Sequence, residues 1–253
     1  MRVYLDAGHN YSGIDTGAQG FGLREQDITY YIASRVQKIL TGKGITVKMS
    51  RNNLTDNVTT GGTVSNSLAA RYSAANSWKA DIFVSIHCNA GGGTGFEVYH
   101  YNGSERAKTL AGNILNGLKY NTDLVSRGVK TETYAVLRNT TMPATLVETA
   151  FIDNEDNAKF LGSEDGQQKL AKGIAEGIME YLGVDYSENS QQSNALDHFA
   201  DVDKMVAELT TPNDIVWELA QRGLVEDKDG MLKEMNENPN GRLYWLARKV
   251  ANR

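Results

Sequence analysis

The chain has 253 residues, 40% of them hydrophobic, enough for one substantial core with length left over for a smaller module. Its formal net charge of −5 is uneven: residues 1–183 carry 18 acidic and 18 basic groups, residues 184–253 carry 13 and 8. Without clustered Lys and Arg, nucleic acid is excluded as a partner, and so is simple attraction of the tail to anionic polymers. The one cysteine, Cys88, excludes an intramolecular disulfide and a cysteine zinc knuckle. Met1-Arg2 leads straight into Val3 with no basic and apolar leader, and no run approaches ~18 apolar residues. The expectation is synthesis in the cytoplasm without a signal peptide and without a membrane anchor.

In chain order, Val3–Leu5 reads as a strand and Arg24–Leu40 as a helix, with Ile28, Ile32, Val36, Ile39 and Leu40 on one face and Gly42 and Gly44 ending it. Ile45–Met49 is the next strand, Asn52 to Asn66 is polar loop, and Ser67–Ser77 is a helix with Leu68, Tyr72 and Ala75 inward. Strands follow at Ile82–His87 and Phe96–Tyr101, then a helix at Glu105–Leu118, a short strand at Ala135–Leu137 and a buried-type strand at Thr145–Phe151. Lys169–Leu182 closes the unit as a helix, with Leu170, Ile174, Ile178 and Leu182 at helical spacing. This alternation predicts an α/β domain with helices on both faces of a central sheet. Residues 184–196 read as a polar linker. Residues 197–253 read as a small all-α module, with Phe199, Val202, Met205, Val206 and Leu209 in one stripe, Pro212 opening a second helix, and Leu243, Leu246, Ala247 and Val250 in a third.

Three strands end in residues for which a buried core has no use: Leu5-Asp6-Ala7-Gly8-His9, Val84-Ser85-Ile86-His87 and Leu146-Val147-Glu148. With Glu25 they supply two imidazoles and two carboxylates, the inventory of a catalytic zinc site with its general base, which points to a hydrolase. Functional groups gather at the carboxyl ends of strands in open α/β sheets. Each residue taken alone has a plainer explanation. A lone His is as often a hydrogen-bonded, half-buried residue, and Glu25 at a helix start is favoured by the dipole. Glu148 in an apolar strand needs either a catalytic role or an Arg partner such as Arg71 or Arg138. Cys88 alternates with His87 and so reads as a core residue facing the other way. His100 reads as a surface or groove residue. The Gly91–Gly95 run lacks the Lys-Ser/Thr ending of a P-loop and reads as a mobile rim.

The segments Asp6-Ala7-Gly8-His9, Gly22-Leu23-Arg24-Glu25, Leu68-Ala69-Ala70-Arg71, Ala75-Asn76, Ala80 to His87 followed by Asn89, and Val147-Glu148-Thr149-Ala150-Phe151 occur in this order. Over roughly residues 1–183 they resemble the zinc-dependent N-acetylmuramoyl-L-alanine amidases of the amidase-3 type. The resemblance implies a central mixed, mostly parallel sheet of about six strands. It implies a peptidoglycan hydrolase that cleaves the amide between the lactyl group of N-acetylmuramic acid and L-alanine. It also implies one zinc ion held by His9, Glu25 and His87 that activates a water, with Glu148 as the base that takes the water proton and returns it to the leaving amine. Arg71 and Asn89, which recur in the family segments, are candidate substrate contacts. Asn10 departs from the pattern, in which a second glycine often follows the His.

A wall hydrolase without a leader acts on the wall after membrane breach, as expected of a phage lysin, with a mother-cell autolysin as the alternative. A catalytically silent wall-binding protein would have lost a ligand or the base, and none is lost here. A zinc deacylase of small amides is a third reading. For residues 197–253 the expectation is recognition of a second wall component through Trp217, Tyr244 or Trp245, whose faces can stack on sugars. Against it stands a bundle core filled by the two tryptophans.

Overall fold

A strand buried on both faces needs apolar residues at nearly every position, and Val3, Tyr4, Leu5 and Ala7 supply them in β1 (Arg2–Ala7). The structure, a computed structural model, describes residues 1–185. After β1 come a short hairpin of β2 (Gln19–Gly20) and β3 (Leu23–Arg24), then α1 (Glu25–Gly42), β4 (Thr46–Met49), α2 (Val64–Ser77), β5 (Ile82–Asn89) and β6 (Phe96–His100). The remainder is α3 (Glu105–Asn121), β7 (Ser126–Thr131), α4 (Ala135–Arg138), β8 (Ala144–Phe151), α5 (Glu155–Gly162) and α6 (Glu164–Leu182).

Six strands form the central sheet in the order β4-β1-β5-β8-β6-β7. β4, β1, β5 and β8 are parallel, β6 runs antiparallel to β8, and β7 is parallel to β6. The expected mixed, mostly parallel sheet is the one found. One face packs against α1, α3 and α6 through a cluster that includes Leu5, Ile32, Val36, Ile86, Val98, Ile114, Val147 and Ile174. Burying each such aliphatic side chain contributes about 1.5–3 kcal/mol. α3 and α6 touch backbone to backbone, since a Cβ on Gly173 would stand 2.7 Å from the Gly117 carbonyl oxygen; only glycine allows that approach. The other face carries the smaller cluster of Tyr4, Ala75, Phe83, Val136, Leu137 and Leu146, contributed in part by α2 and α4. No helix among the described residues is long and apolar enough to cross a membrane.

Several expectations need correction. Ala135–Leu137 is a helical turn, closed by Arg138 N–H donating to Tyr134 O and Asn139 N–H to Ala135 O. Three residues cannot distinguish a period of two from one of 3.6, and Val136 and Leu137 are buried in either case. No apolar alternation announces β7, because this edge strand pairs on one side only and its sequence is Ser-Arg-Gly-Val-Lys-Thr. Helix α2 buries Ser67, Arg71 and Ala75, leaving Leu68 and Tyr72 half-buried, so its inward face is largely polar. Of the two readings of His100, surface or groove, the groove holds: it is buried on the α3 side and lines a groove with Lys108, Val129 and Thr131. The expected linker from residue 186 onward and the module at 197–253, with Trp217, Tyr244 and Trp245, lie outside the described residues.

Candidate metal centre and active site

The sheet brings its carboxyl edge together from four places in the chain. His9 lies two residues beyond β1, Glu25 is the first residue of α1, and His87 and Glu148 are directly paired in the β5–β8 register. His9 Nε2 lies 3.0 Å from Glu25 Oε1, His87 Nδ1 lies 3.1 Å from the same oxygen, and the two nitrogens are 3.2 Å apart. Tetrahedral zinc with bonds of about 2.0–2.1 Å needs ligand atoms roughly 3.3 Å apart, so the triangle fits that ion. His9 sits at φ 67°, in the left-handed region that non-glycine residues enter at a cost. Gly8 makes room for the pair: a Cβ there would stand 2.5 Å from His87 Cε1.

The donor set is oriented by its surroundings. Glu25 accepts from the Cys88 N–H at 2.9 Å through Oε1 and from the Ala18 N–H at 2.8 Å through Oε2. His9 Nδ1 lies 3.2 Å from Asp15 Oδ1, an acceptor, so Nδ1 carries the proton and Nε2 presents its lone pair to the centre. Asp15 Oδ2 in turn accepts from Ser67 Oγ at 2.6 Å and is paired with Arg71 Nη2 at 3.5 Å. Arg71 Nη1 donates to Asp6 Oδ1 at 2.6 Å and to Ala7 O at 2.9 Å, while Ser85 Oγ donates to Asp6 Oδ2 at 2.7 Å.

Three carboxylates thus crowd two imidazoles, and the site draws positive charge. Burial opposes protonation of His9, but Asp15 and Glu25 raise its pKa to about 9. Glu25 is held well below the usual carboxylate range, burial being outweighed by His87 and His9. Asp6 and Asp15 are likewise lowered against their burial, Asp6 chiefly by Arg71 and Asp15 by His9 and Ser67.

Glu148 differs from all of them. Its Oε2 is buried with no hydrogen-bond partner among the described residues, and no Arg pairs with it there. Burial pushes its pKa up to about 7. An oxygen in this state, beside three converging ligand atoms, is placed to exchange a proton with something bound at the centre.

Arg71 is closed off from solvent. It is 2% exposed and spent on Asp6, Asp15 and backbone, so the expectation of a substrate contact is corrected to a buried ion-pair role. Asn89 is half-buried, and its Nδ2 donates to Glu97 Oε1 at 2.7 Å while its Oδ1 accepts from Ala90 N–H. It fixes the loop after β5. Cys88 faces the helical layer with its Sγ 3.6 Å from Thr149 Oγ1. The glycine run is tied down, with the Gly91 and Gly92 N–H groups donating to Asp153 Oδ2 and Gly95 N–H to Asn157 Oδ1. Asn10, the departure from the family pattern, is fully buried and takes over loop shaping: its Nδ2 donates to Ile14 O, and its Oδ1 accepts from Val58 N–H.

Sequence reasoning misses Asp15 and Arg51. Arg51 is 0% exposed and donates to the Gln26, Gly8 and Leu54 carbonyls, clamping the start of α1 against the end of β1. Neither carries a local signal, because their partners lie between 3 and 52 residues away and Asp15 sits in an unpatterned loop.

A mostly parallel α/β sheet with two imidazoles and a carboxylate converging near its carboxyl edge, beside a half-buried acid whose Oε2 lacks a hydrogen-bond partner, defines a candidate metal-dependent hydrolase. The chain belongs to the N-acetylmuramoyl-L-alanine amidase family, whose profile matches residues 3–180. It is 41% identical over 182 residues to the N-acetylmuramoyl-L-alanine amidase CwlM of Bacillus licheniformis, covering 70% of this chain and 67% of that one. It is 39% identical over 191 residues to the endolysin of Bacillus phage SPP1, covering 72% and 66%. The catalytic domain of CwlV, an amidase from Bacillus (Paenibacillus) polymyxa var. colistinus, superposes with TM-score 0.64 at 33% identity, covering 73% of this chain and 99% of that one.

Proposed function

We propose that this protein is a zinc-dependent peptidoglycan amidase that hydrolyses the bond between the lactyl carbonyl of N-acetylmuramic acid and L-alanine. The observation that carries this reading is the triangle of His9 Nε2, Glu25 Oε1 and His87 Nδ1 beside the unpartnered Glu148 Oε2. His9, Glu25 and His87 would hold the zinc. The chemistry zinc supplies when bound is Lewis acidity, lowering the pKa of a water to about 7 and polarising a carbonyl. Glu148 Oε2 takes a proton from the attacking water and returns it to the amide nitrogen as the C–N bond breaks. A carboxyl that burial raises above the usual carboxylate range is suited to both steps. Mass spectrometry of peptidoglycan digested by the zinc-loaded protein, beside a chelated control, tests the reading. Free stem peptides beginning with L-alanine are expected with metal only; intact muropeptides in both would defeat it.

Asp15 is the positioning residue for His9 in this scheme. Asp15→Asn should weaken zinc affinity about 10–100-fold, as loss of an outer partner of a ligating His does elsewhere, while the rate at saturating zinc changes little. Competition against a chelating dye reads this directly, and unchanged zinc affinity would remove Asp15 from the scheme.

In this reading residues 1–183 are the catalytic domain, and residues 197–253 hold a wall component through Trp217, Tyr244 or Trp245. Replacing the three by Ala should reduce sedimentation of the full chain with cell walls, and undiminished sedimentation would count against it. The context is lysis of a phage host, with a mother-cell autolysin of the same chemistry as the alternative, a phage endolysin and a bacterial amidase both being among the relatives.

A further inference from the structure

The row of site residues continues across the sheet beyond Glu148. Glu97 on β6 is the antiparallel partner of Glu148 on β8, so His87, Glu148 and Glu97 follow one another along one face. Glu97 is 2% exposed, and both its oxygens are occupied. Asn89 Nδ2 and the Tyr99 hydroxyl each donate to Oε1 at 2.7 Å, Arg127 Nε donates to Oε2 at 2.7 Å, and Lys130 Nζ donates to that same oxygen. Burial works against the acid, but Lys130, Arg127 and Tyr99 bring its pKa down to about 2, so it is ionised.

One carboxylate here faces two cations. Either would neutralise it, and among the described residues neither Arg127 nor Lys130 has another acid within ion-pair distance. Both cations share the one acid within reach, and their side chains are 37% exposed while Glu97 beneath them is closed off. The next acid along this face is Glu148, one strand across from Glu97.

The backbone is shaped to make this pair. Residues three apart on a regular strand point to opposite faces, so Arg127 and Lys130 should not meet. Phe96 pairs with Ser126 and Val98 with Val129, which places one extra residue on β7, and Gly128 within that bulge sits at φ 86°. Bulges of this kind re-aim side chains next to active sites. The heads are also held from the side, the Arg127 guanidinium 5.0 Å from the Phe151 ring centroid and Lys130 Nζ 5.9 Å from that of Tyr99.

We propose that Arg127 and Lys130 form an anion subsite that binds a carboxylate on the peptide leaving group of the substrate. The inference deepens the amidase reading and rests on it. The amide nitrogen must lie at Glu148, which protonates it, and adjacent strands are about 4.8 Å apart, so cations gathered over Glu97 stand roughly one strand spacing away. A peptide advances about 3.5 Å per residue, which brings a carboxylate on its first or second residue to that place.

The test is binding, read without turnover. Zinc-loaded full-length protein is titrated with L-alanyl-glutamate and with its diamide, followed by calorimetry. Lys130→Gln leaves Glu97 paired with Arg127 and should weaken the acidic dipeptide about tenfold, the range of a charge-assisted hydrogen bond, and leave the diamide unaffected. Glu97→Gln removes the neutralising acid and should tighten the acidic dipeptide. An ion pair that only braces the sheet predicts no preference for the acid over the diamide and no gain in Glu97→Gln, and either result overturns the subsite. Because no bond is cleaved, a protein that binds the acid selectively but releases no peptide from peptidoglycan fails the amidase reading alone.

Discussion

Glu148→Gln is expected to keep its zinc and its fold and to lose turnover by roughly 10²–10⁴-fold, the usual contribution of a positioned acid–base group. The amide is nearly the same size as the carboxyl but cannot take the water proton. The three ligand atoms belong to other residues, so metal content by atomic absorption should match the parent, whereas His9→Ala should lose metal and activity together. Stability should move the other way. A buried polar atom left without a partner costs about 1–3 kcal/mol, and Glu148 Oε2 is such an atom. Gln keeps a polar atom in that place but removes the charge that burial disfavours, so the melting temperature should be unchanged or higher, the exchange of stability for function common at active sites. A variant that retains parental turnover, or that loses its zinc, would remove Glu148 from the base role.

Arg71→Met should have the largest effect on stability. Its guanidinium is the shared partner of Asp6 and Asp15, all three are closed off from solvent or nearly so, and methionine fills the space without the charge. Breaking a buried pair from one side costs about 3–5 kcal/mol because an uncompensated charge stays behind. At roughly 2–4 °C per kcal/mol for a domain of this size, a melting temperature about 10 °C lower is expected in the chelated protein. The pH dependence has a definite sign. Asp6 has a lowered pKa in the folded chain, so its contribution is fully present above its unfolded value of about 3.9 and is lost as the pH falls through the folded value. With Arg71 gone that acid-side loss should largely disappear, since the folded carboxyl no longer has the partner that lowered it. A substrate-contact role predicts instead a raised KM at an unchanged melting temperature, and calorimetry beside kinetics separates the two.

Three of the candidate site residues were legible because they stand against apolar strand sequence, although Glu148 lies in the middle of β8 and not at its end. His9, His87 and Glu148 interrupt or terminate apolar runs, and a polar residue there stands out against its neighbours. Glu25 was not legible on those grounds. A carboxylate at a helix start is ordinary, and only the neighbouring family segments marked it. Arg71 shows the converse. It recurs in the family pattern, yet a recurring residue can serve the substrate or the scaffold, and the difference lies in whether Asp6 and Asp15 are within reach.

The sequence by itself determined the α/β class, the helices with apolar stripes at 3.6-residue spacing, and three candidate site residues, His9, His87 and Glu148. Those are local or pattern properties, carried by side-chain type and spacing. Only the tertiary structure decided that Val136 and Leu137 belong to a helical turn, that Asp15 orients His9, that Arg51 locks β1 to α1, and that a bulge in β7 brings Arg127 and Lys130 onto Glu97. The polar roles depend on partners far apart in the chain: Asp15 meets Ser67 across 52 positions, and Glu97 meets Arg127 across 30. A charge far along the chain leaves no periodic trace, so its role is fixed when folding buries it and a counter-charge has to be there.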